Sequence, residues 1–427
     1  AVQFLLERMR AYGLQNVRAE EFTYTGWVRG TVSLKTTSPL EKEFPCIALP
    51  HSPTAEVEAE LLYLGYATPA MFAAHLDQIQ GKIVLADAKS PVYLRRGIHR
   101  GEKYRRAVAA GAVGFIWMRD QGGLLPETGG LFPGATVPGV GVSREVGQEL
   151  VRLLRQGPVR VRIRMENRVQ EFTSWNVVGE LPGRTQPEKV IVIGAHFDGH
   201  DIAQGALDDA SGAAVVMGAA HLLSHHAGLL EKTLRFVCFP VEEIGLFGSR
   251  AYVAQHEAEL DNHEFMLNLD GAGRPGGPKG LALQAWPELI PYFNRISREM
   301  RYPFLTDVAF GQASDMYPFT LAGVPSGYLS ALESVRTGRN WGHTPADTLD
   351  KVSPLDLRLD SLLVARIMLR LATRHDWPAR RLTAAEVEEI LEQNGVLRIQ
   401  REIEALARRT GVAELQDPYT GGLTDRR

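Results

Sequence analysis

The spacing of apolar residues changes rhythm several times along this chain, and each change marks an element. Val2–Tyr12 carries its apolar positions at helical spacing, and Gly13 follows as a C-cap. Strand-like runs come next at Val17–Tyr24 and Trp27–Leu34. Lys82–Ala88 and Val113–Met118 read as short buried strands, separated by a helix over Lys103–Ala110 that stops at Gly111. A Gly/Pro-rich loop leads to Val137–Ser143 and a helix through Leu154. Val159–Met165 alternates aliphatic residues with arginine, the period-two signature of a half-exposed strand.

Beyond this point the pattern repeats as strand, loop and helix. Strands are predicted at 190–196, 234–240, 265–270 and 325–330. Helices are predicted at 213–225, 249–260, 287–300 and 354–375. Short apolar strands alternating with helices imply an α/β fold: a mostly parallel mixed sheet flanked by helices. Thr383 and Glu386 form a capping box that opens a further helix ending near Asn394–Gly395, and a second runs to about Arg409. The predicted organisation is a main α/β domain from 1–35 and 160–380, a small mostly-β module inserted at 36–159, and a C-terminal helical extension at 381–427.

Composition narrows the classes of function. The chain has 427 residues, 44% hydrophobic and 23% charged, with a formal net charge of -3. That balance offers no clustered basic surface for a nucleic acid. No run of about 18 apolar residues is present, so no membrane span is expected. The N-terminal residues lack the marks of a signal peptide. The compartment, cytoplasmic or secreted, stays open, as does homo-oligomerisation. Cys46 and Cys238 make no disulfide framework, and Cys238 sits in an apolar run as core filler.

The candidate chemistry lies where acids and histidines fall against these strands. His196 ends VIVIGAH, Asp208 lies in GALDDASG before a helix, and Glu242 and Glu243 follow LRFVCFP. Asp270 ends FMLNLD, and His343 sits in the loop GHTPADT. In an open α/β sheet the carboxyl ends of strands form the ligand-binding edge. Carboxylates stranded there are costly to desolvate without a cationic partner, and no lysine or arginine immediately flanks them. A pair of divalent ions meets that need. His200 is spaced from His196 like the histidines of a zinc-protease helix. No Glu follows His196, however, and a Gly-containing loop holds the pair, so His200 is set aside.

The motifs AHFD, GALDDASG, VEEIGLFGS, NLDG and HTPADT, in this order, resemble those of the co-catalytic two-zinc exopeptidases, metallopeptidase family 28. That family includes leucine-type aminopeptidases and glutamate carboxypeptidases. The resemblance covers roughly 170–375. The inserted module, with GKIVLADA, GAVGFI and ATVPGVGVS, resembles a protease-associated domain. The resemblance implies two zinc ions per chain, with other divalent metals able to use the same donors. It implies His196 and Asp270 on one ion, Glu243 and His343 on the other, and Asp208 bridging both. Glu242 would be the general base toward a water shared by the ions, and Asp198 would orient the His196 imidazole. Asp209 and Asp347 are expected either to be structural or to support the ligands from behind.

Two departures stand out. Some members have SDH where this chain has Ser314-Asp315-Met316, and several have Tyr where this chain has Gly342. The stabiliser of the oxyanion is therefore unassigned. The expected activity is an aminopeptidase acting on peptides. A carboxypeptidase or dipeptidase on the same site is the alternative, kept open by Arg336 and Arg339 before His343. A non-catalytic binding domain of the same fold is a third reading, disfavoured by the complete ligand set. The Gly/Pro cluster Gly271–Gly280 is expected to be a flexible loop at the rim of the site.

Overall fold

The computed structural model describes residues 1–94, 96–131, 133–274, 278–331 and 341–413. The chain divides into two compact units. The first comprises Ala1–Tyr24 and Phe172–Asn394; the second comprises Thr25–Glu171 and the segment from Gly395. Among the described residues no helix is long and apolar enough to cross a membrane.

The first unit is built on an eight-stranded mixed sheet. Its strands lie in the order Gln15–Val28, Arg168–Leu181, Lys232–Phe239, Gln186–His196, His263–Asn268, Ser326–Ala331, Lys279–Leu283 and Leu305–Val308. The three central neighbours run parallel, and Ser326–Ala331 continues parallel to them. Antiparallel partners flank this parallel core on either side. The apolar runs are continuous because both faces are covered. Ile191, Ile193, Phe236 and Cys238 face a core shared with Val215, Val216, Phe293 and Met368. Their neighbours Val190, Val192, Val237 and Phe239 face a second core with Tyr252 and Phe319. Each such side chain contributes roughly 1.5–3 kcal/mol on full burial. Cys238 is fully buried and burial pushes its thiol up to about 12, which suits a core filler.

The second unit is also organised on an eight-stranded sheet, with Ile83–Asp87, Gly114–Met118 and Gly139–Val142 as its parallel interior. Here the expected boundaries shift. Arg160–Met165 pairs antiparallel with both Val32–Ser38 and Ala55–Tyr63. Val161, Ile163 and Met165 point into this unit's core, while Arg162 reaches Glu58 at 2.7 Å on the outside. The alternating strand and residues 25–35 thus belong to the second unit, and the breaks fall at 24/25 and 171/172.

The C-terminal extension is not one body. The helix Ala384–Gln393, with its capping box formed, belongs to the first unit. The helix Val396–Thr410 belongs to the second, where Ile403 and Ala407 pack on Ala109 and Arg106 pairs with Glu402 at 2.7 Å. Gly395, at φ 75°, makes the left-handed turn between them. The Gly271–Gly280 cluster also departs from expectation at its end: Lys279 and Gly280 begin an interior strand paired on both sides.

Candidate metal centre

Register explains why residues distant in sequence meet. His196 pairs with Phe239 across one neighbour, and Gly194 pairs with Asn268 across the other. The three parallel strands therefore end at one edge. His196 closes the first, Glu242 and Glu243 follow the second, and Asp270 follows the third.

Asp208 enters from the loop that leads into the helix Ser211–Ser224. Its carboxylate lies between two imidazoles: Oδ1 is 3.7 Å from His196 Nε2 and Oδ2 is 3.3 Å from His343 Nε2. Asp347 ties the two loops together, accepting hydrogen bonds from the Leu207 amide at 2.7 Å and the Asp208 amide at 3.1 Å. His343 also lies 3.2 Å from Glu243 Oε2.

Potential donor atoms gather in two groups, each within 4.8 Å: His196, Asp209 and Asp270 in one, His200, Glu243 and His343 in the other. The expected pairs His196/Asp270 and Glu243/His343 are thus brought together, with Asp208 between them. Asp209 also accepts hydrogen bonds from the Gly212 and Gly271 amides, at 3.2 and 3.1 Å. Glu242 Oε2 lies 4.0 Å from His196 Nε2. Asp198 is nearby in an unforeseen way. Its backbone carbonyl, at 3.1 Å, is the closer partner of His196 Nδ1, with the carboxylate at 3.6 Å. The carboxylate itself accepts the Glu242 and Glu243 amides at 3.1 and 3.3 Å and so sets the acidic turn.

Two readings of the sequence need correction. His200 is not a bystander: its Nε2 lies 3.0 Å from Glu243 Oε2, and its ring stands edge-on to His343 at 4.5 Å. The carboxylates are also not without a cation. The buried Arg274 guanidinium donates to Asp208 Oδ1 at 2.9 Å, to Asp270 Oδ1 at 3.4 Å and to the Leu207 carbonyl at 2.9 Å. The three-residue turn Gly271–Gly273 folds it back onto the acids, which the sequence alone does not reveal. Sequence reasoning also missed Ser314, which donates to Asp270 Oδ2 at 2.7 Å and accepts from Asn268 at 2.6 Å. Asp315, beside it, is fully buried. Arg336 and Arg339 lie outside the described residues.

The Gly342 departure has a steric cause. A Cβ there would stand 2.9 Å from Asp208 Oδ2, so this loop approaches the carboxylate too closely for a side chain. His343 itself adopts a left-handed φ of 60°, a conformation uncommon outside glycine.

Electrostatics mark the same cluster. Burial lifts Glu242 well above the usual carboxylate range, and Glu243, Asp270 and Asp315 reinforce the shift against His196. Burial raises Asp315 to about 7, opposed by His196 and a hydrogen bond from Ser249. Burial would depress His196, but Glu242, Asp198 and Asp208 outweigh it and hold the imidazole well above its ordinary value. His343 behaves alike: burial opposes, Glu243 and Asp208 prevail, and the value reaches about 9. In Glu243 burial is overcome by His200 and His343, and the carboxyl is lowered.

Such a density of buried acid calls for cations. Glu243 Oε1 and Asp209 Oδ2 are buried without a hydrogen-bond partner. Imidazole and carboxylate are donors that zinc accepts, so the residues present fit a zinc site.

The fold and this edge of histidines and acids define a class: a mixed α/β sheet flanked by helices, with a candidate metal centre at the carboxyl ends of its parallel strands. Comparison with known proteins places it further. Residues 176–367 match peptidase family M28, and residues 53–150 match the PA domain. The chain is 28% identical over 355 residues to "Leucine aminopeptidase 2" of Trichophyton equinum, covering 79% of this chain and 68% of that protein. The solved peptidase M28 precursor from Shewanella amazonensis shares 25% identity at a TM-score of 0.72, covering 90% of this chain and 89% of that one. An aminopeptidase from Aneurinibacillus sp. strain AM-1 shares 27% identity at a TM-score of 0.65, covering 90% of each. The chain belongs to peptidase family M28 and carries an inserted PA domain.

Proposed function

We propose that this chain is a two-zinc exopeptidase that removes the N-terminal residue of peptides. The observation that carries the reading is Asp208, whose two oxygens face His196 on one side and His343 on the other. His196 and Asp270 would hold one ion and Glu243 and His343 the other, with Asp208 shared. Zinc, when bound, supplies Lewis acidity and lowers the pKa of water.

The remaining work falls to the chain's own side chains. Glu242 accepts a proton at a carboxylate oxygen and returns it to the leaving amine. Asp198 positions Glu242 by holding the amides of the acidic turn. The preference for an amino terminus rests on the aminopeptidase names of the relatives above.

The test has two parts. Glu242→Gln should retain the wild-type metal content yet lose roughly 10²–10⁴ in kcat, the usual worth of general acid–base catalysis. Near-normal kcat would remove Glu242 from the mechanism. Dipeptides blocked at either end separate the polarities: amino-blocking should abolish hydrolysis and carboxyl-blocking should be tolerated. The reverse result would make the enzyme a carboxypeptidase.

A further inference from the structure

We infer that His200 is a fourth protein ligand at the Glu243/His343 position, so that the two metal positions are unequal: that one tight, the other weaker. The inference rests on the two-metal reading above and goes beyond its ligand set.

Three observations carry it. His200 Nε2 and His343 Nε2 lie 3.0 and 3.2 Å from the same oxygen, Glu243 Oε2, so both ring nitrogens converge on one point. The two rings stand at 85° to each other, which lets both nitrogens address that point without stacking. His200 is buried, with 6% of its surface exposed, although it sits in a Gly-flanked loop where an imidazole of no function would ordinarily turn to solvent. Asp208, Glu243, His343 and His200 together make four protein donors.

The other position differs in kind. His196 and Asp270 share Asp208 with the Arg274 guanidinium, which already bonds Asp208 Oδ1 and Asp270 Oδ1. A fixed positive charge beside those oxygens lowers their attraction for a further cation. The resident cation makes the His196/Asp270 position the weaker one.

The test titrates zinc alone into the metal-stripped full chain in competition with a chromophoric chelator. X-ray absorption then counts imidazoles on the sample loaded with one equivalent. The wild type should take its first zinc tightly with two imidazoles, and its second more weakly. His200→Gln keeps a hydrogen-bond donor for Glu243 and removes the imidazole. It should weaken the first step by at least about tenfold, a loss seen even when outer partners of metal ligands are removed, and leave one imidazole on that zinc. His200→Ala serves if the glutamine variant does not fold, with the same expectation. First-step affinity and imidazole count unchanged in a folded variant would overturn the inference while leaving the two-metal reading intact. Wild-type protein that binds no zinc would overturn both.

Discussion

At the scale of single residues, the site depends on how closely its loops approach the candidate ligands. Gly342 is the sharpest case. Gly342→Ala puts a methyl 2.9 Å from Asp208 Oδ2, against the carboxylate that would bridge both ions. We predict that this variant folds but binds zinc more weakly, by roughly 10–100-fold as for other disturbed metal ligands; chelator competition checks it. Away from the site, His263 shows a different constraint. Its Nδ1 bonds the Glu259 carbonyl and its Nε2 the Tyr252 hydroxyl, each at 3.0 Å, while Arg235 donates to that hydroxyl at 2.8 Å. The chain of donors assigns His263 a neutral ring. Burial, helped by the Arg235 charge, lowers it to about 4 from an ordinary 6.5. Below pH 6.5 the unfolded chain therefore binds a proton that the folded chain refuses. Stability present above that pH is lost as pH falls toward 4, by about 3 kcal/mol from this group. His263→Gln should lose correspondingly less between pH 7 and pH 4 in denaturant unfolding. An equal loss in both proteins would assign the acid sensitivity elsewhere.

At the scale of elements, parallel strand ends and capped helices do the positioning. The strands Gln186–His196, Lys232–Phe239 and His263–Asn268 were legible from their apolar runs, and the edge they share followed from the parallel arrangement. The strands Lys279–Leu283 and Leu305–Val308 were not legible. The first hides behind a Gly/Pro cluster, and the second is largely exposed with little apolar signal. The capping box of the helix Ala384–Gln393 was readable because it is local: Thr383 accepts from the Glu386 amide, and Glu386 accepts from Thr383. Thr383→Ala should cost about 1 kcal/mol. Hydrogen exchange should show faster opening over 384–393, and no change there would mean tertiary packing alone holds the helix.

At the scale of the whole molecule, we predict that the two units respond differently to metal. The candidate ligands all belong to the first unit. A ligand bound only by the folded state stabilises it by about 2.7 kcal/mol at a hundred times its dissociation constant. Chelation should therefore lower the melting temperature and speed exchange in the segments holding His196, Asp208, Glu243 and Asp270. Amides of the second unit, including the helix Val396–Thr410, should be unaffected. Equal effects in both units would show that the metal holds more than its own loops.

The chain's local order settled most of its strands and helices, though not the strands Lys279–Leu283 and Leu305–Val308, that the central apolar runs must be covered on both faces, and which acids and histidines end them. These are short-range matters of periodicity, capping and the cost of burying charge. Only the tertiary structure decided that His200 faces Glu243, that Arg274 returns to Asp208 and Asp270, and that the last two helices belong to different units. Each depends on a turn in a loop or on a partner remote in the chain. Periodicity carries no record of either.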